Sequence, residues 1–147
     1  MIGDWHAHVR RLPDRLVRSN NWIEYDGISN HHKIFDTNAN LEEFNVTSTD
    51  KKLQIKAQTL RIYNPATHQW SIYGLELDKG NLETPPLVGQ FYGDQGEFYN
   101  QQLWKGRVVE VRYIWRPVGA NGAHMDQAFS PDGGKTWEVN WTCDLTK

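Results

Sequence analysis

Residues 122–145 read GAHMDQAFSPDGGKTWEVNWTCDL, two alternating runs of residues on either side of a turn. In Gly122–Ser130 and in Thr136–Leu145, apolar and polar residues alternate with a period of two, which is the spacing of a half-buried β-strand. The PDGG stretch between them, at 131–134, consists of residues that favour tight turns. This pattern predicts a β-hairpin with aromatic side chains on one face.

The same alternation recurs along the rest of the chain, with Gly, Pro, Asn or Asp at the breaks. We predict these further strands: Trp5–Leu12, Asn21–Ile34, Asn40–Thr47, Leu53–Tyr63, Gln69–Leu77, Leu87–Tyr92, Gly96–Trp104 and Arg107–Trp115. Short strands joined mostly by hairpins predict an all-β fold with one domain over residues 1–147. The expected architecture is an antiparallel up-and-down β-barrel of about ten strands, with a β-sandwich as the alternative. A barrel of about eight to ten strands has room for one small ligand inside.

The composition excludes several classes of partner. The 147 residues carry 16 basic and 18 acidic side chains, a formal net charge of −2, so no large positive field is present to attract nucleic acid. No stretch approaches the roughly 18 apolar residues of a membrane-spanning helix, and Met1–Trp5 has no signal-peptide pattern. We therefore expect a cytoplasmic protein without nucleic-acid or membrane partners, and the sequence leaves a homodimer open.

The final hairpin offers a candidate ligand-binding residue, Gln127. If Phe129 lies opposite Trp137, then Gln127 lies opposite Val139 and Met125 opposite Trp141. This face is predicted to point inward, because a shift of one residue would bury the charged side chains instead. A buried amide needs a hydrogen-bond partner. The partner of Gln127 is either a ligand or a neighbouring strand, and the sequence does not decide between them.

A second hairpin, around Trp104–Arg107, adds polar groups to the predicted interior. The face that we place inside is the more apolar one, and it contains Phe98, Asn100, Gln102, Val109, Val111, Tyr113 and Trp115. Asn100 and Gln102 would then line a cavity, because a dry core does not tolerate such groups. Arg112 is predicted to point outward as a surface partner of Glu110, whereas an inward Arg112 would serve as an anion anchor.

Two carboxylates are candidates for general acid–base chemistry, Glu24 and Glu43. Glu24 shares a strand face with Trp22 and Ile28, and Glu43 shares one with Leu41, so either could enter the cavity. A buried carboxylate with a shifted pKa is what such chemistry requires. A solvated charge on the outer face is the alternative for both.

Metal and nucleophile chemistry have little support in the sequence. The histidine pairs His6 and His8, and His31 and His32, are interpreted as surface groups rather than ligands, because a metal needs three or four converging ligands. We therefore predict no metal and no cofactor. Cys143 has no histidine or cation near it in sequence and is interpreted as a small buried hydrophobic residue.

Several segments resemble known barrels. Gly3-Asp4-Trp5 resembles the Gly-x-Trp start of calycins, the superfamily that contains lipocalins and fatty-acid-binding proteins. Three further regions resemble a bacterial family of calycin-like barrels without an assigned function: Leu60–Thr67 with Trp70–Tyr73, Gly96–Tyr99, and Gln127–Ser130 with Asp132–Glu138. The resemblance implies a barrel with an interior pocket and brings no catalytic residues. No residue matches the haem histidine of nitrobindin-like barrels, so haem is not expected.

The sequence therefore leaves three hypotheses for function. The first is binding of a small amphipathic or aromatic molecule in an internal cavity, with Gln127 and one carboxylate setting its orientation. The predicted ligand-binding walls are Trp22, Trp70, Tyr113, Phe129 and Trp141. The second is a biosynthetic enzyme, an isomerase, cyclase or lyase, that uses the same cavity with one acid or base. The third is an interaction module whose barrel is filled.

Overall fold

The computed structural model describes residues 1–147, which form eleven β-strands and no helix. The strands are β1 (Gly3–Arg11), β2 (Ile23–Lys33), β3 (Asn40–Ser48), β4 (Gln54–Asn64), β5 (Gln69–Glu76), β6 (Asn81–Leu82), β7 (Leu87–Tyr92), β8 (Gln95–Trp104), β9 (Arg107–Pro117), β10 (Gly122–Ser130) and β11 (Glu138–Thr146). Ten of them are the ten strands that alternation predicts. The two-residue β6 is the addition.

The ten long strands form a closed antiparallel barrel. Their order around the sheet is β4-β3-β2-β1-β11-β10-β9-β8-β7-β5, and β4 also pairs with β5, which closes the ring. The predicted all-β antiparallel barrel is therefore confirmed, and the sandwich alternative is wrong. The fold is compatible with the calycin-like architecture. The chain contains no helix that is long and apolar enough to cross a membrane.

The interior holds two separate hydrophobic clusters. The first lies on strands β1, β2, β3, β10 and β11, and it consists of Trp5, Ala7, Val9, Tyr25, Phe44, Val46, Ala123, Cys143 and Leu145. The second comes from β5, β7, β8, β9 and β10, and it consists of Ile72, Leu87, Phe98, Val109, Val111 and Phe129. Both clusters include a residue of β10, and the partly buried ring of Trp115 packs against each of them. Their fully buried residues form two separate groups and not one core.

The predicted register of the final hairpin was wrong, although most of the residues predicted to face inward were assigned correctly. Gln127 lies opposite Trp141, and Met125 lies opposite Cys143. The register shifts between Gln127 and Ala128, where β11 contains one extra residue, and the side chain of this residue, Asn140, is fully buried. Such a β-bulge cannot be read from alternation, because it reverses the phase of the pattern at one position.

Trp137 was also misplaced by the sequence. Phe129 lies opposite Glu138, so Trp137 belongs to the turn rather than to the strand. Its ring packs on the outside of the barrel near Tyr99, at 6.4 Å between ring centroids. The guanidinium carbon of Arg112 lies over the same ring, 4.4 Å from its centroid. The turn thus places Trp137 on the outer surface, where its ring packs against Arg112.

The β8–β9 hairpin has the predicted inner face. Phe98, Val109 and Val111 are buried in the second hydrophobic cluster. Arg112, opposite Tyr99, lies on the outer face, as the sequence predicted. Its partner is the ring of Trp137 and not Glu110, whose carboxylate accepts a hydrogen bond from the Gln101 amide at 2.7 Å.

One end of the barrel is covered by the connection between β1 and β2, residues 12–22. Leu12 is buried, and its backbone N–H donates to the carbonyl of Asn140 at 2.8 Å. The N–H of Leu16 donates to Oε1 of Glu138, also at 2.8 Å. These bonds tie the connection to the start of β11. We refer to this end, where β1 ends and β2 begins, as the capped end.

Residues 77–86 complete the wall between β5 and β7, which pair through only three residue pairs. The backbone N–H of Glu83 donates to the carbonyl of Gly74 at 2.8 Å, and the Asn100 amide donates to the carbonyl of Pro85 at 3.0 Å. A Cβ at position 74 would lie 2.5 Å from the Glu83 carboxylate, so a larger residue there would displace the Glu83 side chain. The segment is therefore hydrogen-bonded to β5 on one side and to β8 on the other.

Candidate functional site

The main cavity of the barrel has a volume of about 1100 Å³ and lies between the two hydrophobic clusters. Phe44 and Cys143 border it from the first cluster, and Ile72 and Leu87 border it from the second. The cavity is partly open to solvent. A pocket of this size can enclose a small organic molecule, since ligand sites typically measure about 300–1,000 Å³.

Three of the predicted ligand-binding residues line the main cavity: Tyr113, Gln127 and Trp141. Asn100 and Gln102 line it as well, so the polar groups predicted for the interior are placed there. The amide of Gln102 donates to the side-chain oxygen of Asn100 at 3.3 Å. The sequence therefore identified some of the uncharged polar groups of this cavity and missed others, namely Gln58, Thr59, Asn81, Thr84 and Gln101.

The other three predicted residues lie elsewhere. Trp70 borders a second cavity and not the main one. Phe129 is buried inside the second hydrophobic cluster and borders neither cavity. Trp22 also borders neither, and the guanidinium of Arg10 lies 4.9 Å from the centroid of its ring. Trp22 precedes β2, so the alternation of that strand does not fix the direction of its side chain.

The two carboxylates proposed for the cavity were wrongly placed by the sequence. The side chains of Glu24 and Glu43 are 53% and 56% exposed on the outer face. The carboxylate that lines the cavity is Glu42, because the buried residues Phe44 and Val46 set the phase of β3. Counting back in steps of two from Phe44 would have identified Glu42 as the inward carboxylate. The sequence analysis used Leu41, at the start of the strand, to define the inner face and therefore chose Glu43.

Glu42 belongs to a buried polar network that joins three neighbouring strands. It forms an ion pair with Arg61 of β4. Arg61 also donates to Oδ1 of Asn40 at 3.0 Å and to Nδ1 of His31 at 3.2 Å. The Nε2 atom of His31 lies 2.8 Å from the hydroxyl of Ser29. All the fixed charge in this network is therefore paired, which keeps it stable inside the barrel.

His31 is neutral in this network and its tautomer follows from its neighbours. A guanidinium only donates hydrogen bonds, so Nδ1 of His31 accepts from Arg61 and the ring proton resides on Nε2. Nε2 then donates to Ser29. Burial lowers the pKa of His31 to about 4 and outweighs the opposing effect of Glu42. The prediction that His31 is a surface group was wrong, since its side chain is only 2% exposed.

The network divides the barrel into two chambers. The second cavity, of about 450 Å³, lies toward the end opposite the capped end and is lined by apolar groups such as Ile2, Phe91 and Pro117. Arg61, together with Ile72 and Trp115, borders both cavities. The guanidinium carbon of Arg61 lies 5.8 Å from the centroid of the Trp115 ring. Arg61 and Trp115 are therefore part of a partition between the chambers.

Tyr113 places a hydroxyl group in the main cavity. Burial raises its pKa to about 12, and the nearby carboxylates of Glu83 and Glu42 act in the same direction. The hydroxyl is therefore protonated at neutral pH. It forms no side-chain hydrogen bond within the protein, so it is available to donate to a bound molecule.

The outer histidines pair with carboxylates and not with one another. His8 lies between Glu24 and Asp26, at 3.0 Å from each carboxylate. The hydrogen bond to Asp26 raises the pKa of His8 above its ordinary value, against the opposing effect of burial. His6 lies 3.4 Å from the same Asp26. No group of three or more His, Cys, Asp or Glu side chains is arranged to hold a metal ion.

The hydrogen-bond partner of Gln127 is a protein group. Its Nε2 donates to Oδ1 of Asn140 at 2.8 Å, and Asn140 is the extra residue of the β-bulge. Nδ2 of Asn140 is buried and has no partner. Of the two alternatives that the sequence left open, a structural bond and a ligand contact, the structure shows the first. Gln127 still borders the cavity.

We expect Gln127→Met to lower the free energy of unfolding by about 1–3 kcal/mol, because it leaves the buried Asn140 amide without any side-chain partner. The measurement is urea unfolding without ligand. The matched control is the double variant Gln127→Met/Asn140→Leu, which removes both polar groups and should recover most of the loss. A single variant as stable as the wild type would show that the amide of Gln127 does not support Asn140.

The ten-stranded barrel is compatible with a calycin-like fold, as the sequence resemblance implied. A scan against protein-family profiles found no family that matches this chain. A search of curated proteins found no matching relative either. Function must therefore be inferred from the residues of the barrel.

Proposed function

We propose that this protein binds one small amphipathic molecule with a flat apolar or aromatic body in its main cavity. The observation that carries the proposal is the cavity itself, about 1100 Å³ of space bordered by residues of both hydrophobic clusters. A barrel that served only as a rigid interaction module would gain stability by closing this space, since unfilled cavities cost free energy.

The lining supports an amphipathic rather than a purely apolar ligand. Trp115 and Trp141 supply aromatic faces, and flat molecules pack well on such rings. Asn100, Gln102 and Tyr113 supply hydrogen-bonding groups at fixed positions. Apolar walls with a few placed polar groups are the usual composition of a small-molecule site.

A neutral fluorescent probe, N-phenyl-1-naphthylamine, tests the proposal. We expect saturable enhancement of its emission and a rise in the melting temperature of the protein, because a ligand that binds the folded state stabilises it. Thr59→Trp should weaken this binding, since Thr59 lines the cavity and the larger ring occupies part of it.

The matched control is Thr47→Trp. Thr47 lies between the buried residues Val46 and Ser48 on β3, so its side chain points outward, and it borders neither cavity. This variant should bind the probe as the wild type does. Binding that is absent from the wild type, or equally reduced in both variants, would contradict a ligand site in the barrel.

Catalysis in the same cavity is the second candidate function, and the position of Glu42 favours it. Its carboxylate borders the cavity beside the guanidinium of Arg61, and a general base must lie within reach of the bound molecule. A metabolite extract incubated with wild type and with Glu42→Gln, then compared by liquid chromatography coupled to mass spectrometry so that isomers are separated, tests this. A compound consumed by the wild type alone supports an isomerase, cyclase or lyase, and identical spectra contradict it.

We further propose that the chain belongs to the bacterial calycin-like family that its segments resemble and that it acts in the cytoplasm. The closed barrel supports the first proposal. The free thiol of Cys143 is compatible with the second, because burial raises its pKa to about 12 and keeps it unreactive.

A further inference from the structure

Arg15 is a buried arginine at the capped end of the main cavity. It lies on the connection between β1 and β2, and the residue is only 9% exposed. Its Nε atom donates to the carbonyl of Leu12 at 2.8 Å. Its guanidinium carbon lies 5.0 Å from the ring centroids of both Trp104 and Phe129. These contacts fix the plane of the guanidinium where it borders the cavity.

No carboxylate neutralises this charge. Arg61, the other arginine deep in the barrel, is paired with Glu42, whereas Arg15 forms no ion pair with any acidic side chain. Glu138 lies close enough to act on Arg15, but its Oε1 accepts the N–H of Leu16 instead. The two terminal nitrogens of Arg15 form no hydrogen bond within the protein. A buried charge without a partner is costly, so this arrangement is suited to a partner from outside the chain.

Arg15 remains charged at neutral pH. Burial lowers its pKa to about 10, and the charge of Arg11 acts in the same direction. Arg11, the last residue of β1, also borders the cavity and also lacks an ion pair. Two cations without acidic partners therefore lie at the same end of the cavity. The unpartnered hydroxyl of Tyr113, close enough to act on Arg15, adds a third donor.

We propose that the molecule bound in the main cavity is an organic anion, and that Arg15 is the residue that selects it by binding its carboxylate or phosphate group. The proposal rests on the proposed function, because it names the ligand class of the same cavity. The planar guanidinium offers its two terminal nitrogens to two oxygens of the anion. Arg11 adds a second positive charge. The apolar body of the ligand then extends from the capped end toward Trp115 and the partition.

Two probes with the same ring skeleton test the proposal. 1-Anilinonaphthalene-8-sulfonate carries an anionic group, and N-phenyl-1-naphthylamine is its neutral counterpart. We expect the wild type to bind the anionic probe at least tenfold more tightly. Arg15→Met should remove this preference, so that the variant binds the two probes with similar affinity. Arg15→Lys, which keeps the charge, should retain part of the preference.

The matched control is Arg18→Met, an identical change of side chain on the same connection. Arg18 is exposed and borders neither cavity. It should leave the affinity of both probes unchanged. Displacement of the anionic probe by 1-naphthoate and by 1-naphthyl phosphate then distinguishes a carboxylate ligand from a phosphate ligand, since the two competitors differ only in the anionic group.

The outcomes separate this proposal from the proposed function. If the neutral probe binds and the anionic probe binds no better, the cavity is a ligand site but anion selection by Arg15 is wrong. Equal losses in Arg15→Met and Arg18→Met would also overturn it, because they would indicate a general charge effect. If neither probe binds to the wild type, the proposed function itself fails. If Arg15→Met does not fold, the wild-type comparison still tests the preference for an anion, and an Arg15→Lys variant with unchanged affinity for the anionic probe would overturn the role of the Arg15 guanidinium.

Discussion

Arg61→Met is expected to lower the free energy of unfolding by about 3–5 kcal/mol, the usual cost of removing one partner from a buried ion pair. The side chains of Arg61 and Glu42 are only 15% and 12% exposed, so water does not replace the lost partner well. The variant also removes the donor for Asn40 and for Nδ1 of His31. Urea unfolding monitored by tryptophan emission measures the loss.

The double variant Arg61→Met/Glu42→Met is the informative comparison. Replacing a whole buried ion pair with apolar groups is often neutral or stabilising, so the double variant should recover much of the loss. It should be more stable than Arg61→Met alone. The matched control is Arg107→Met, at an exposed position without an ion pair, which should change stability by less than about 0.5 kcal/mol. A loss below about 1 kcal/mol in Arg61→Met would show that the partition is solvated.

The sequence predicted the fold well because a barrel wall obeys one simple rule. Each strand has one inward face and one outward face, so apolar residues recur at every second position. Tight turns such as PDGG at 131–134 mark the ends of the strands. These signals are local, and they gave all ten strands of the ring. Which strands meet to close the ring is not local, but sequential hairpins leave little choice apart from the β1–β11 pair.

The site was predicted less completely than the fold, because its charged residues do not follow the alternation of inward apolar and outward polar residues. Glu42 and His31 occupy inward positions that alternation assigns to apolar residues. Glu42 is paired with Arg61 of the neighbouring β4, and the ring of His31 is hydrogen-bonded to Arg61 and to Ser29. A group from β4 that satisfies groups on β2 and β3 depends on register across two strand pairs. The register of these two strand pairs cannot be derived from a single sequence.

Single-residue irregularities account for the remaining errors. The alternation predicts that the polar side chain of Asn140 points outward, yet the β-bulge turns this side chain into the barrel. Arg15 lies outside any strand, so no periodicity applies to it. It reaches the cavity because the connection folds over the capped end. Glu42 and Arg15 thus border the cavity at positions that the strand pattern does not predict, whereas Asn100, Gln102 and Gln127 border it at positions that the pattern does predict.

Trp141→Ala is expected to lower the free energy of unfolding by about 3 kcal/mol, the lower end of the range for truncating a core tryptophan. Trp141 packs against the first hydrophobic cluster, with its ring centroid 6.1 Å from that of Phe44. Its other side borders the main cavity, so part of its surface is not packed against protein. This is why the expected loss lies at the lower end. Urea unfolding measures it.

Trp22→Ala is the matched control, since it makes the same chemical change outside the cavity. Trp22 is partly exposed and contacts the guanidinium of Arg10, a contact worth about 0.5–1 kcal/mol at such sites. The two variants should therefore differ by roughly 2 kcal/mol, and only Trp141→Ala should alter the emission of N-phenyl-1-naphthylamine bound in the cavity. Equal losses from the two variants would mean that Trp141 is not part of the interior wall. The two clusters would then not be separated by a cavity that Trp141 borders, and the argument for a ligand between them would lose its basis.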